Sequence, residues 1–293
     1  MLTETKFYRV GDHVFSVTAD EDTFQQMKNY EPFLLTEDGA TGEEVRFALT
    51  VGKGEAVALT EEMRQEDEGQ IIVCGHTEEG CPVYEFHWWG QTAGWLVCTD
   101  DYRRARLVLS GCLNKLAVDN GLMVLYALST AGKGTALFHA ATVSHGGKAY
   151  AFLGHSGTGK STHASLWLRY VEDTQLVNDD NPVVRIWADG RATIYGSPWS
   201  GKTPCYRNVC YPLGGFVNLS QAPYNRIRPL RGIQAYAALV PSISGKRWDR
   251  RIADGLHLTE NALAEHVAVW HLECLPDEEA ARVCHAAVTG NGK

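Results

Sequence analysis

Apolar residues recur in two different rhythms along this chain of 293 residues. Up to about residue 98 they form short runs between glycine- and acid-rich turns, which is typical of β-strands joined by hairpins in an antiparallel sheet. From residue 99 helical periodicity alternates with further strands. We therefore predict a β-rich N-terminal domain or subdomain over 1–98 and a second domain over 99–293. The N-terminal runs are 14–17 (VFSV), 47–51 (FALTV), 71–74 (IIVC), 84–89 (YEFHWW) and 95–98 (WLVC), and the acidic stretch 61–68 is predicted to be a solvated turn or helix face.

The second region is predicted to mix helices and strands. The Thr99-Asp100-Asp101 sequence is a helix start signal, and it predicts two helices over roughly 101–118 and 120–130. Two apolar runs joined by Gly146-Gly147 predict a β-hairpin. The remaining elements are strands at 135–144 and 148–153, a helix near 162–172, strands and turns over 174–219, helices near 231–240 and 260–267, a strand at 267–274 and a last helix opening at Pro276.

A glycine-rich segment follows the strand 148–153 and precedes the helix 162–172. It reads GHSGTGKS over 154–161, a full match to G-x-x-x-x-G-K-[ST]. In this motif consecutive backbone N–H groups and a helix N-terminus cradle phosphates, the lysine reaches the β- and γ-phosphates, and the hydroxyl ligates Mg²⁺. The predicted nucleotide-binding residues are Gly154, His155, Ser156, Gly157, Thr158, Gly159, Lys160, Ser161 and Thr162.

Composition and charge exclude several other classes. Hydrophobic residues make up 44% and charged residues 21% of the chain, as in ordinary globular proteins. A net charge of −8 argues against a nucleic-acid-binding protein, which needs a basic face. No 18-residue apolar run and no signal-peptide core are present, and none of the eight cysteines forms C-x-x-C. We expect a cytoplasmic protein with reduced thiols and without membrane or nucleic-acid partners.

Two adjacent carboxylates follow the glycine-rich loop by about 18 residues, in LVNDDNP over 176–182. A P-loop enzyme needs a carboxylate near its Mg²⁺, and a kinase needs another near the acceptor hydroxyl. Asp179 and Asp180 are therefore candidates for both roles, with Ser161 as the third metal ligand. The alternative is a plain Asp-Asn-Pro turn.

Two further candidates surround the loop. His139 stands in an apolar strand (LFHAA, 137–141), where a histidine is either a satisfied core residue or a functional one. The segments 196–203 (GSPWSGKT) and 206–212 (YRNVCYP) place Lys202 and Arg207 among small turn residues. Such loops can close over phosphates, and they can equally be ordinary surface loops.

Over about residues 130–290 these motifs resemble the HPr kinase / phosphoenolpyruvate carboxykinase superfamily. The resemblance rests on the strand with His139, the hairpin into GHSGTGKST, and the pair Asp179-Asp180. The whole chain looks most like bacterial HPr-kinase-like or carboxykinase-like proteins. It implies an α/β (α+β) fold, in which a P-loop catalytic domain with a mixed, largely antiparallel sheet follows the β-rich region.

The resemblance also implies residue roles. His139 would stand close to the catalytic carboxylate and tune it, as a hydrogen-bonded partner of Asp179. A segment similar to 207–212 supplies an arginine that contacts the γ-phosphate in carboxykinases, which makes Arg207, and with less support Lys202, a candidate for stabilising transferred charge.

The expected activity is that of an ATP-dependent phosphotransferase, with ATP and Mg²⁺ (or Mn²⁺) as cofactors and a hydroxyl of a protein, peptide or small molecule as acceptor. Two alternatives stay open: a small carboxykinase-like enzyme, and a nucleotide-binding regulatory protein without turnover. The chain is much shorter than a classical carboxykinase and has no recognisable copy of the HPr kinase signature after the aspartates. The sequence also leaves open whether the protein is a homo-oligomer.

Overall fold

The structure is a computed structural model that describes residues 2–36, 42–201 and 203–290. It divides into two compact units, Met1–Thr130 and Ala131–Lys293. Both combine large mixed sheets with few helices, so the predicted mixed α/β class is confirmed at this level.

The first unit is built on one sheet, which has eight strands among the described residues, in the order β1-β2-β3-β8-β7-β6-β5-β4. Its β-rich character is as predicted, but β2–β3 and β3–β8 are parallel, so the sheet is not purely antiparallel. The elements are β1 Thr3–Val10, β2 His13–Asp20, α1 Glu21–Gln26, β3 Val45–Lys53, β4 Thr60–Asp67, β5 Gln70–His76, β6 Pro82–Trp88, β7 Gln91–Cys98, β8 Arg104–Leu109 and α2 Asn114–Thr130.

Two predictions for this part of the chain are wrong. The acidic stretch 61–68 lies mainly in β4, an exposed edge strand whose repeated charges blunt further strand pairing. The helix predicted over 101–118 is mostly replaced by β8, because 104–109 pairs with β3 and β7, and this non-local pairing overrides local helical periodicity. The first unit thus includes β8 and α2, which lie beyond the boundary that the sequence suggested at residue 98.

The second unit contains a sheet with nine strands among the described residues, and most of its pairings are antiparallel. The exceptions are β11–β15 and β15–β17, which are parallel. The elements are β9 Thr135–Leu137, β10 Ala140–His145, β11 Lys148–Leu153, α3 Lys160–Tyr170, β12 Gln175–Asp180, β13 Val183–Ile186, β14 Ala192–Tyr195, β15 Cys210–Gln221, β16 Arg226–Leu230, α4 Ile233–Leu239, α5 Arg250–His266, β17 Val269–Cys274 and α6 Glu278–Thr289.

Local sequence accounts for the elements around the glycine-rich loop. The 146–147 turn joins β10 to β11 as predicted, with both glycines at positive φ. The predicted strand 135–144 is interrupted at 138–139, where the backbone N–H of His139 donates to Ser242 O at 2.6 Å. The helix predicted near 260–267 is longer, since α5 begins at the Asp249 N-cap.

One apolar core lies between the sheet and the helices α3 and α6. Trp167 is fully buried and packs its ring 5.6 Å from the rings of both Tyr150 and Phe152. Phe152 is the second-to-last residue of β11, the strand that leads into the glycine-rich loop, so this packing holds β11 and α3 together on either side of the loop.

Candidate functional site

The glycine-rich loop connects β11 directly to the N-terminus of α3. Its glycines allow this tight path: Gly154 has φ +144° and Gly159, the N-cap of α3, has φ +106°. A Cβ at Gly154 would come within 3.2 Å of the Thr158 side chain. The predicted strand, loop and helix are therefore confirmed, with the first backbone N–H groups of α3 at the end of an exposed loop.

Lys160 is nearly buried, with 9% of its surface exposed, yet it does not enter the core. Its Nζ donates to the carbonyl oxygens of Gly154 at 3.0 Å and His155 at 3.3 Å. The ammonium group thus lies inside the curve of the loop, where an anion held by the loop amides would meet it.

Ser161 and Asp179 meet at the first turn of α3. The Ser161 hydroxyl donates to Asp179 Oδ1 at 2.7 Å. Asp179 is 3% exposed, and its second oxygen, Oδ2, is buried without a hydrogen-bond partner. A buried carboxylate oxygen of this kind is costly unless a cation or a donor satisfies it. The hydroxyl and the carboxylate fit a hard divalent cation such as Mg²⁺.

Strand register explains why Asp179 meets the helix. Asp179 pairs with Ala141 of β10, and Ala141 pairs with Phe152 of β11. Residues paired across neighbouring strands share a face of the sheet, and Phe152 packs against α3. Asp179 therefore faces the helix that carries Ser161.

The side chain of Asp180 has different partners from that of Asp179. Adjacent strand residues point to opposite faces, and Asp180 Oδ1 lies 3.3 Å from His139 Nε2. Its Oδ2 accepts a 2.7 Å hydrogen bond from Asn181 Nδ2. About a third of the Asp180 side chain and two fifths of the His139 side chain are exposed, so a molecule in solution can reach this pair. The expected pairing of His139 with Asp179 is wrong, because alternation along β12 directs Asp180 to the histidine instead.

The backbone at Asp180 is strained. Its φ of +144° lies in a region that residues other than glycine rarely adopt. Such strain persists where the surroundings hold it, and it concentrates at functional sites. Here the neighbouring chain supplies the restraint, since Asp180 forms an isolated antiparallel bridge with Ser200.

The 196–203 segment lies against the two aspartates. The Gly201 N–H donates to Asp179 O, and the Ser200 hydroxyl donates to the same carbonyl at 3.2 Å. A Cβ at Gly201 would lie 3.1 Å from both Asp179 O and Asp180 Cβ. Lys202, the predicted basic residue of this segment, lies outside the described residues.

Arg207 is placed near the opposite end of β12. Its guanidinium donates to Leu176 O at 2.5 Å and to Gln175 Oε1 at 3.0 Å. Leu176 precedes Asp179 by three residues, which is about 10 Å along a strand. The structure therefore does not bring Arg207 to the aspartates, and its contact with a phosphate remains a prediction.

Buried amides that sequence reasoning missed hold the aspartate strand in place. Asn178 is fully buried and its Nδ2 donates to Ser197 Oγ at 3.2 Å and Trp199 O at 3.1 Å. Its Oδ1 accepts from the Asn181 backbone N–H at 2.8 Å. The signal was the polar run NDDN, which begins inside an otherwise apolar strand and is unusual for a buried segment.

His163 was also missed. It is 2% exposed, and its Nε2 accepts a 3.2 Å hydrogen bond from Trp167 Nε1. Burial lowers the pKa of His163 to about 4, because the cationic form would lose its hydration. A neutral imidazole therefore stands behind the glycine-rich loop.

Among the described residues, no group of three or more histidine, cysteine, aspartate or glutamate side chains is arranged to hold a metal. Within the same residues, no helix combines the length and apolar character needed to cross a bilayer. In comparisons with known proteins, no family model matches the chain and no curated protein is significantly similar to it.

Proposed function

We propose that the protein is an ATP-dependent phosphotransferase with the fold and chemistry of the HPr kinase/carboxykinase-like superfamily. The observation that carries the proposal is that the two adjacent aspartates at the end of β12 contact different partners. Asp179 joins Ser161 beside the P-loop lysine, whereas Asp180 joins His139 at an accessible position. A kinase needs these two carboxylates in these two places, one at the metal and one at the acceptor.

The Mg²⁺ ion would be held by the Ser161 hydroxyl and Asp179. The unpartnered Asp179 Oδ2 supports this assignment, since a cation would satisfy it. Mg²⁺ retains several waters and binds few protein groups, so these two ligands and phosphate oxygens suffice. Once bound, it would neutralise charge on the β- and γ-phosphates.

The nucleotide phosphates would lie over the loop 154–162. Backbone N–H groups of the loop and of the first turn of α3 would donate to them, and Lys160 would exchange its two carbonyl partners for β- and γ-oxygens. Both carbonyl acceptors belong to the loop itself, so Lys160 would stay within the loop when it exchanges them for phosphate oxygens.

Asp180 would orient the acceptor hydroxyl and take its proton. The hydroxyl oxygen attacks the γ-phosphorus in line, the bond from that phosphorus to the β,γ-bridging oxygen breaks, and ADP leaves with the bond's electron pair. The proton passes to the Asp180 carboxylate, which His139 and Asn181 hold in place. The sequence also made Asp180 a candidate metal ligand beside Ser161 and Asp179, and this role is the alternative to that of proton acceptor.

Arg207 and Lys202 are proposed to stabilise charge on the transferred phosphoryl group. For Arg207 this requires release of its contacts with Gln175 and Leu176 when nucleotide binds. Loop arginines of this kind can contribute on the order of 10³-fold or more to rate. The acceptor is a hydroxyl of a protein, peptide or small molecule, and we propose that the protein acts in the cytoplasm.

The test is ATP turnover by the purified protein with Mg²⁺ and candidate hydroxyl acceptors, measured as ADP release and transfer of labelled phosphate. Lys160→Ala should lower ATP affinity or turnover at least a hundredfold with the fold intact, because the side chain faces the loop. Lys148→Ala, an exposed lysine at the other end of β11, is the matched control and should behave as wild type. A folded Lys160→Ala protein with normal affinity and activity would refute the P-loop assignment.

The same assay separates the two alternatives. Formation of phosphoenolpyruvate from oxaloacetate, ATP and Mn²⁺ would favour the carboxykinase-like enzyme over the kinase. Tight ATP binding without turnover across protein, peptide and small-molecule acceptors would favour a regulatory nucleotide-binding protein.

A further inference from the structure

Two histidines meet at the end of the second unit's sheet that lies away from the glycine-rich loop. His145 is the last residue of β10, and His285 lies on α6. Their Nε2 atoms are 3.0 Å apart, and their ring centres are 4.6 Å apart with the ring planes at 85°. His145 pairs with Lys148 at the start of β11, so about 17 Å of strand separates the pair from the loop that follows Leu153.

A backbone carbonyl determines which nitrogen of His145 carries the hydrogen. The Nδ1 atom lies 3.0 Å from Glu172 O, and a carbonyl oxygen can only accept, so Nδ1 is the donor. In the neutral ring the lone pair is then on Nε2, which is the atom that faces His285. Histidines that bind metals are held in this way, with one ring nitrogen donating to a carbonyl and the other directed at the metal.

The packing of α6 holds His285 beside this lone pair. The centre of its ring lies 5.4 Å from that of the buried Trp167, and its backbone carbonyl accepts a 2.7 Å hydrogen bond from the Thr289 hydroxyl. Burial, and then the neighbouring His145, lowers the pKa of His285, so its imidazole is neutral at pH 7. Both histidines are only partly buried, so a hydrated ion can reach them.

The distance between the two Nε2 atoms fits metal ligation as well as a hydrogen bond. In a hydrogen-bonded pair, His285 would donate its Nε2 hydrogen to His145. Imidazole nitrogens bind a metal ion such as Zn²⁺ at about 2.0–2.1 Å, so two of them at right angles lie about 2.9 Å apart, and two in a tetrahedron about 3.3 Å apart. The observed 3.0 Å is closer to the right-angled arrangement, which Cu²⁺ and Ni²⁺ adopt.

A hydroxyl next to the pair gives a second, independent indication. Gln175 pairs with Ser144, and the same antiparallel register places Thr174 opposite His145. The Thr174 Oγ1 atom is buried and has no hydrogen-bond partner among the described residues. A water molecule bound to a metal ion at the two histidines would give this hydroxyl a partner, whereas a hydrogen bond between the two rings would not.

We propose that His145 and His285 bind a divalent transition-metal ion through their two Nε2 atoms, with water at the remaining positions. Imidazole ligands at right angles suit Cu²⁺ and Ni²⁺, and these ions also bind nitrogen ligands strongly. The ion would connect the end of β10 to α6. The inference is independent of the proposed phosphotransferase function, because none of its residues belongs to the glycine-rich loop or to the aspartate pair.

The experiment titrates Ni²⁺ into the whole chain without an affinity tag and with its thiols reduced, and it measures binding by calorimetry. We expect His145→Gln and His285→Gln each to bind Ni²⁺ at least tenfold more weakly than wild type, because a single imidazole loses the effective concentration of the second. His266→Gln, which changes another partly exposed histidine, is the matched control and should bind as wild type does. Ni²⁺ should also raise the Tm of wild type, reversibly with EDTA, and leave the Tm of the two glutamine variants unchanged.

Equal Ni²⁺ affinity in wild type and in a folded glutamine variant would show that the two histidines form only a hydrogen bond, and it would overturn the proposal. If neither glutamine variant folds, wild type with Cu²⁺ decides. Its electron paramagnetic resonance spectrum should show coupling to two imidazole nitrogens, and coupling to fewer than two would overturn the proposal. ATP binding is measured separately, so its failure would refute the proposed function and leave this site unaffected.

Discussion

The strained backbone of Asp180 leads to a prediction in which turnover and the free energy of unfolding respond differently to two substitutions at this residue. Its φ of +144° suits glycine, and strain of this kind costs about 1–3 kcal/mol. If the position exists to present a carboxylate, the protein retains that cost for function. Asp180→Gly should then abolish turnover while relieving the strain, whereas Asp180→Ala should abolish turnover and retain it.

The magnitude follows from comparing the two variants with each other. Both lose the hydrogen bond from Asn181 and the half-exposed pair with His139, together worth about 1–2 kcal/mol. Glycine loses more conformational entropy on folding than alanine does, which lowers the stability of Asp180→Gly by about 0.5–1 kcal/mol relative to Asp180→Ala. The strain relief of about 2 kcal/mol therefore leaves Asp180→Gly more stable than Asp180→Ala by about 1 kcal/mol. For a protein of this size that difference raises Tm by about 2–4 °C.

The assay is urea and thermal unfolding of both variants beside transfer of labelled phosphate from ATP. Because the lost side-chain contacts are the same, they cancel in the comparison. An alanine variant as stable as the glycine variant would show that the backbone is not strained at this residue. Turnover near the wild-type rate in either variant would show that Asp180 is not the group that takes the proton.

Three further predictions concern neighbouring residues. Asp179→Asn should raise the Mg²⁺ concentration for half-maximal activity at least tenfold, because it removes the charge beside Ser161. Asp254→Asn, which changes an exposed side chain of α5, is the control, and an unchanged Mg²⁺ titration in Asp179→Asn would contradict the metal assignment. Gly201→Ala should lower kcat several-fold, since the added Cβ would lie 3.1 Å from Asp180 Cβ. Gly52→Ala is the control, because its added Cβ meets open space, and its kcat should stay at the wild-type value. Equal kcat values for the two variants would contradict the packing argument. The pKa of His163 is about 4 in the folded protein and about 6.5 in the unfolded chain, so the unfolded chain takes up the proton at a higher pH than the folded one. The free energy of unfolding should therefore fall by about 2 kcal/mol from this group alone as the pH is lowered from 7 to 5. Urea unfolding across that range should show a shallower pH dependence in His163→Gln, and identical slopes contradict a buried neutral histidine.

Local sequence was sufficient to predict the strand, loop and helix around Lys160. Short-range rules determine this unit: a buried strand, glycines where φ is positive, and a helix that begins at the lysine. The 146–147 hairpin follows from an equally local signal, and α6 begins two residues after the predicted opening at Pro276, with Asp277 as its N-cap.

Pairing between distant strands could not be predicted in the same way. Residues 104–109 were expected to be helical, and they form β8 because β3 and β7 lie on either side of them. The partner of His139 was likewise misassigned, since it depends on the side of the sheet to which each residue of β12 points. A shift of one residue in register reverses that side, and the register depends on partner strands that the local sequence of β12 does not identify.

The period of two along β12 gives the candidate site its simplest explanation. Adjacent carboxylates in a loop would compete for the same cation and repel each other, but in a strand they are directed to opposite faces. Asp179 can then meet the helix that carries Ser161, while Asp180 meets His139 without sharing the same partner. The buried Asn178 holds this strand to Ser197 and Trp199, so a shift of the strand would break three hydrogen bonds of its side chain. One short strand would thereby separate the carboxylate that we propose to bind the metal from the one that we propose to accept the proton, as in-line phosphoryl transfer requires.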